Sequence, residues 1–150
     1  MEGKVTNKLI LPVFWALVGV FVLVAGVPFI ASQQHVSFWF VIFPSLVFFL
    51  LGLTLIIPAV KAELDRTFKK FLILTGSAAA GILVSMLLHN LVYGAFIQWF
   101  GEGFWERTGL EDEPFFFMMA VFVCPLAYLV GTVGSIATII RRKKHETQRV

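Results

Sequence analysis

The chain has 150 residues, of which 59% are apolar and 14% charged, with a formal net charge of +3. Soluble domains run at about 45–50% apolar and about 25% charged. A water-soluble globule of this size could not bury so much apolar surface, and one cysteine, Cys124, rules out an internal disulfide framework and CxxC redox or zinc motifs.

Four uncharged, mostly apolar runs organise the chain: Leu9–Ala31, Val36–Val60, Phe71–Phe100 and Pro114–Ile140. They are 23, 25, 30 and 27 residues long and take up 105 of the 150 residues. A helix needs about 20 apolar residues to cross about 30 Å of hydrocarbon, so each run is long enough to span. The expected fold is an all-α integral membrane protein, a four-transmembrane-helix antiparallel bundle in which residues 1–150 form a single domain. Leu9–Ala31 exceeds the roughly 7–15 residues of a signal h-region, and Phe29-Ile-Ala31 fits a cleavage site poorly, so it is read as a retained span.

Between the first two runs, Ser32-Gln-Gln-His35 is too short for anything but a tight antiparallel turn. The third connection, Gly101–Glu113, is longer but still too small to be a domain. Short links favour an up-down-up-down bundle. Pro44 and Pro125 fall inside the second and fourth spans, where each removes a backbone donor and kinks its helix.

Charge sets the expected orientation. Lys4 and Lys8, four basic residues in Lys61–Lys70, and five in the tail from Arg141 to Arg149 make 11 of the 12 Lys and Arg. In a four-span chain all of these share one side. The opposite side holds only Arg107, among Glu102, Glu106, Glu111, Asp112 and Glu113. The positive-inside rule then turns both termini to the cytoplasm (N-in/C-in), with a prokaryotic cytoplasmic membrane as the expected location. The basic clusters expect anionic lipid as their contact, and no motif points to nucleic acid.

Spans 3 and 4 carry small residues at four-residue spacing: Ser77, Gly81 and Ser85 on one, Ala127, Gly131 and Ser135 on the other. Small residues let helix backbones approach closely in lipid. These two faces are expected to meet, within one chain or across a homo-oligomer. Cys124 reads as a small buried hydrophobe.

His89, with Asn90 and Tyr93, is the sharpest chemical signal. An ionisable side chain at membrane depth is costly and needs a partner. Three functional readings follow for this trio as a cofactor-binding set: a haem or metal ligand, a quinone hydrogen-bond donor, or a proton relay. Against them stands a histidine bonded to Tyr, Ser or a carbonyl that ties two helices together. A bis-His haem within one chain is excluded because no other span supplies a histidine; the alternatives are a single haem shared by two chains or one ligated by a Met such as Met86, Met118 or Met119. No cofactor is expected.

The acidic run Glu111, Asp112, Glu113 precedes Pro114. Proline suits the first helical position, and acids there complement the positive end of the helix dipole. The same oxygens are candidate ligands for a divalent cation, or part of a docking surface. Glu102 and Glu106 are four apart, a spacing that a short helix would bring together. Trp99, Phe104 and Trp105 suit the water–bilayer interface, and Trp15, Trp39, Phe38, Phe40, Phe43, Phe48, Phe49 and Phe115–Phe117 read as belt or lipid-facing residues.

No Ser–His–Asp arrangement, HExxH, phosphate loop or dinucleotide fingerprint is present, so an enzyme acting alone is not expected. The preferred reading is an accessory or scaffolding subunit of a larger membrane complex. The alternatives are an oligomeric small-solute or ion transporter, lined by Ser77, Ser85, His89, Asn90 and Tyr93, or a redox-chain subunit that uses His89. The small multidrug transporters also have four spans, but they rely on a glutamate in the first span, and Leu9–Ala31 holds no acid.

Overall fold

The computed structural model describes residues 2–30, 38–110 and 112–148. Those residues are helical apart from short connections, with no strand among them. In chain order the elements are α1 (Glu2–Ile30), α2 (Phe38–Lys61), α3 (Arg66–Phe100), α4 (Phe104–Arg107), α5 (Pro114–Met118), a π-helical turn over Met119–Val123, and α6 (Cys124–Thr147). Three helical stretches are long and apolar enough to cross a membrane: Ile42–Lys61, Arg66–Phe100 and Pro114–Arg142. In α1 the corresponding apolar stretch is Leu9–Val24. The turn Ser32–His35 and residue Glu111 lie outside the described residues, as do the side chains of Phe38, Trp39 and Phe40.

Local chemistry fixes the helix ends. Asp65 caps α3, its carboxylate accepting from the Thr67 and Phe68 amides at 3.1 and 3.3 Å. A cap of this kind contributes about 1 kcal/mol, and here it starts α3 five residues before the apolar run does. Just beyond it, the Lys69 ammonium donates to the Val60 and Ala62 carbonyls, putting a cation at the negative end of α2. At its far end α3 stops at Gly101, whose φ of +89° is costly for other residues and whose amide donates to Ile97 O at 2.8 Å. Pro125 has no amide to give, and its ring crowds the carbonyl four residues back. The wide π turn over Met119–Val123 ends two residues before it and accommodates that gap.

The helices pack in sequence order, α1 on α2, α2 on α3, and α3 on α6. Backbone proximity is greatest at glycines. A Cβ on Gly52 would lie 2.7 Å from Gly76 O, and one on Gly76 would lie 2.8 Å from Gly52 O, so α2 and α3 cross glycine on glycine. On the other side of α3, a Cβ on Gly131 would lie 2.6 Å from Thr75 Oγ1 and 2.8 Å from Thr75 N. Gly134 rests on the Phe71 ring, and Gly81 faces Cys124 Sγ. The α3–α6 pair is therefore antiparallel and lies within one chain.

Of the small residues expected to make this contact, Gly131 lies against Thr75, Ser85 and Ser135 are buried, and Gly81 and Ala127 are half-buried. Ser77 is exposed. The α3 surface that touches α6 runs through Phe71, Thr75 and Gly81, and Ser77, two residues past Thr75, lies about 200° around the helix from it.

Phe14, Leu17, Leu55, Leu72 and Tyr128 are almost fully buried and hold the core together. Tyr128 on α6 meets Phe21 of α1 at 4.5 Å and Phe48 of α2 at 5.2 Å between ring centroids. Phe48, expected to face lipid, is in the core at this junction. By contrast, Phe43 and Phe115 are exposed, as expected of lipid-facing side chains.

Candidate functional site: a histidine held between two carboxylates

α3 continues well past the start of α5. His89 of α3 is level with Glu113, the residue before Pro114, and eleven further residues carry the helix to Phe100. At 1.5 Å per residue, that overhang is about 16 Å long. The chain then folds back through α4 and returns to His89.

Glu113 is the N-cap of α5. Its carboxylate accepts from the Phe115 and Phe116 amides at 2.8 and 2.9 Å, the two donors left free by the first helical turn. Although ionisable, Glu113 is only 5% exposed. Asp112 is half-exposed and accepts from the Glu113 amide at 2.7 Å, which orients the cap.

His89 is inserted between these acids. Its Nδ1 lies 3.1 Å from the Glu113 carbonyl oxygen and 3.3 Å from Glu113 Oε2. Its Nε2 lies 3.4 Å from Asp112 Oδ2. The Phe117 ring, 5.8 Å away between centroids, closes one side. Only acceptors surround Nδ1, so that nitrogen carries a proton and donates. The imidazolium form offers a second donor toward Asp112, and the neutral ring does not. The two carboxylates face different ring nitrogens rather than converging on one shared point. Nδ1 is committed to Glu113, and Nε2 faces Asp112.

The neighbouring candidates have other tasks. Asn90 is exposed and bonds back to Met86 O of its own helix at 2.8 Å. Tyr93, one turn beyond His89, stacks on Trp105 at 5.8 Å with the rings only 9° apart. Trp105 is buried, Nε1 pointing at Tyr93 O. Arg107 donates to Phe100 O at 2.8 Å and caps the end of α3. Phe96 packs against Phe104 and Trp105, and Phe100 against Phe104. Together these contacts make the overhang and α4 one aromatic hairpin. Its outermost rings are bare: Trp99 is 73% exposed and Phe100 53%. Glu106 belongs to α4, whereas Glu102 precedes it in the turn, so the two do not share a helix.

Asp112 and Glu113 are thus brought to His89, and Glu111 falls outside the described residues. Among the described residues, no three His, Cys, Asp or Glu side chains gather to hold a metal ion. Of the polar residues considered as a pore lining, Ser77 and Asn90 are exposed, Ser85 is buried, and His89 and Tyr93 are half-buried. The union of His89 with the acidic run was not legible from residues 23 and 24 positions apart in sequence. The available signal was a lone intramembrane histidine in a chain with one acidic connection. No protein-family model, curated protein or solved structure matches the chain.

Proposed function

We propose that the chain is a four-span membrane protein with both termini in the cytoplasm, and that it serves as an accessory subunit docking on a larger membrane protein through the aromatic hairpin. The observation that carries this reading is the overhang of α3. A helix that merely spanned would end where its partner α5 begins. Here eleven more residues are fixed by a glycine stop, an arginine cap and a buried tryptophan, and they display Trp99 and Phe100 outward. Rigid exposed aromatics suit protein interfaces because they contribute large contact area at small entropic cost. Glu102, Glu106 and Asp112, all exposed, border them and favour a partner surface with basic groups at its edge.

α1 enters this reading as the fourth span. Its helix of 29 residues is about 44 Å long, enough to cross. With four spans, the basic residues at the start of α1, at the α2–α3 junction and at the end of α6 share the cytoplasmic side, and the acidic hairpin faces the other.

The test is affinity purification from native membranes in mild detergent, comparing the natural chain with a Trp99→Ser, Phe100→Ser variant. We expect a membrane protein recovered in stoichiometric amount with the natural chain and reduced about tenfold or more with the variant, as for loss of aromatic hot spots. Equal recovery with both chains, or recovery of this chain alone as a defined oligomer, contradicts the reading.

A further inference from the structure

At the end of the molecule opposite the hairpin, two basic segments far apart in sequence come together. Packing of α3 on α6 brings the Arg142 guanidinium over the Phe68 ring, 4.8 Å from its centroid. That contact is a cation–π stack, and it holds the start of α3 against the end of α6. Around it Lys61, Arg66, Lys70, Arg141, Arg142 and Lys144 are all exposed.

Among the described side chains, the acids nearby do not neutralise them. Asp65 is used as the cap of α3, and Glu63 is the only other acid between Lys61 and Lys70. Among the described residues, the ion pairs formed involve only His89, at the other end. Lys69 is the exception on the basic side, since its ammonium is turned back onto the end of α2. The α3 N-terminus cannot bind an anion through its first amides, because Asp65 already accepts from two of them.

Helix length sets the depth of this surface. Pro114–Arg142 is 29 residues, about 43 Å, against about 30 Å of hydrocarbon, so the arginines at its end reach the headgroup layer. We infer that the α3–α6 basic end is a binding site for the phosphate headgroup of an anionic phospholipid, with Arg142, oriented by Phe68, at its centre and Arg66, Lys70, Arg141 and Lys144 around it. Side chains alone hold the headgroup, and the adjoining apolar faces of α3 and α6 take the acyl chains. A guanidinium stacked on a ring keeps its edge N–H groups free for phosphate oxygens.

The full chain, purified and delipidated, is titrated with phosphatidylglycerol, with phosphatidylcholine of the same acyl chains, and with glycerol phosphate, and adducts are counted by native mass spectrometry. We expect phosphatidylglycerol to be retained over phosphatidylcholine and glycerol phosphate not to be retained. The double variant Arg141→Gln, Arg142→Gln should weaken phosphatidylglycerol retention about thirtyfold, on the basis of roughly tenfold or less per basic side chain. Glu102→Gln, at the opposite end, should leave retention unchanged. Equal retention of the two lipids overturns the site, as does an unaltered preference in the double variant. Retention of glycerol phosphate equal to that of the lipid overturns it in favour of a soluble phosphate ligand. Unchanged thermal unfolding of the double variant in phosphatidylcholine bilayers separates loss of the site from loss of the fold.

Discussion

Replacing Gly131 by leucine should drive α3 and α6 apart and lower the stability of the folded chain by about 1–3 kcal/mol, the usual cost of overpacking a fixed contact. The atoms in the way are Thr75 Oγ1 at 2.6 Å, Thr75 N at 2.8 Å and Phe71 O at 3.0 Å from the position a Cβ would take. Two of these are backbone, so no rotamer change relieves the clash; the helices must separate. Without close approach, a helix pair in lipid loses its dispersion contacts, and no hydrophobic drive replaces them. Gly81→Ala should cost less, because its new Cβ meets only Cys124 Sγ, at 3.0 Å, and that side chain can turn. Gly94→Leu is the control, since nothing lies within 4 Å of its Cβ position. Thermal unfolding in bilayer discs should rank the variants Gly131→Leu, Gly81→Ala, Gly94→Leu, from most to least damaging. A Gly131→Leu chain that melts with the natural one would refute the α3–α6 contact.

Breaking the His89–Glu113 link should loosen the hairpin end without unfolding the rest. His89→Ala removes the donor to both the carbonyl and the carboxylate of Glu113 and leaves a buried acid with only its cap bonds. Hydrogen bonds to charged groups contribute about 1.5–3 kcal/mol, so a loss of that size is expected. Glu113→Gln weakens the same link while an amide oxygen can still accept from the first turn of α5. If the two residues act as one clamp, the variants are not additive, and the double-mutant cycle returns a coupling of about 0.5–3 kcal/mol. Additivity within about 0.5 kcal/mol would mean that the two neighbours do not support each other. Hydrogen exchange locates the effect: amides of residues 104–110 and 112–118 should lose protection, while those around Thr75 and Gly131 should keep theirs.

The helices with unbroken apolar runs were legible in the sequence because crossing hydrocarbon demands length and apolarity, and both can be read directly. The same uniformity hid which way each residue faces. A run such as Val36–Val60 is apolar all round, so nothing in it marked Phe48 as core and Phe43 as exposed. Gly52 was the available clue. It is the one glycine in that run, and a small residue amid phenylalanines and leucines marks a close crossing. Gly76 was passed over because the four-residue stripe was read from Ser77, one position further along. Tyr128 likewise stood unremarked in span 4, yet its ring joins α1, α2 and α6.

The candidate site was half legible. Proline after an acidic run correctly marked a capped helix start, and His89 was recognised as needing a partner. That each feature answers the other depends on the antiparallel register of α3 and α6, which is set by glycine contacts deep in the pair. The hairpin was concealed for a different reason. Phe71–Phe100 reads as one span, and only the position of Pro114 against His89 shows how much of it overhangs.

The most direct test of the docking reading is to place a photo-crosslinking side chain at position 99 of the full-length protein in its native membrane. A second chain carries the same probe at Leu129, which α6 exposes on an apolar face. One defined protein adduct is expected from position 99 and lipid adducts alone from position 129. Lipid adducts alone from both positions would contradict it, and would make the aromatic hairpin a membrane anchor.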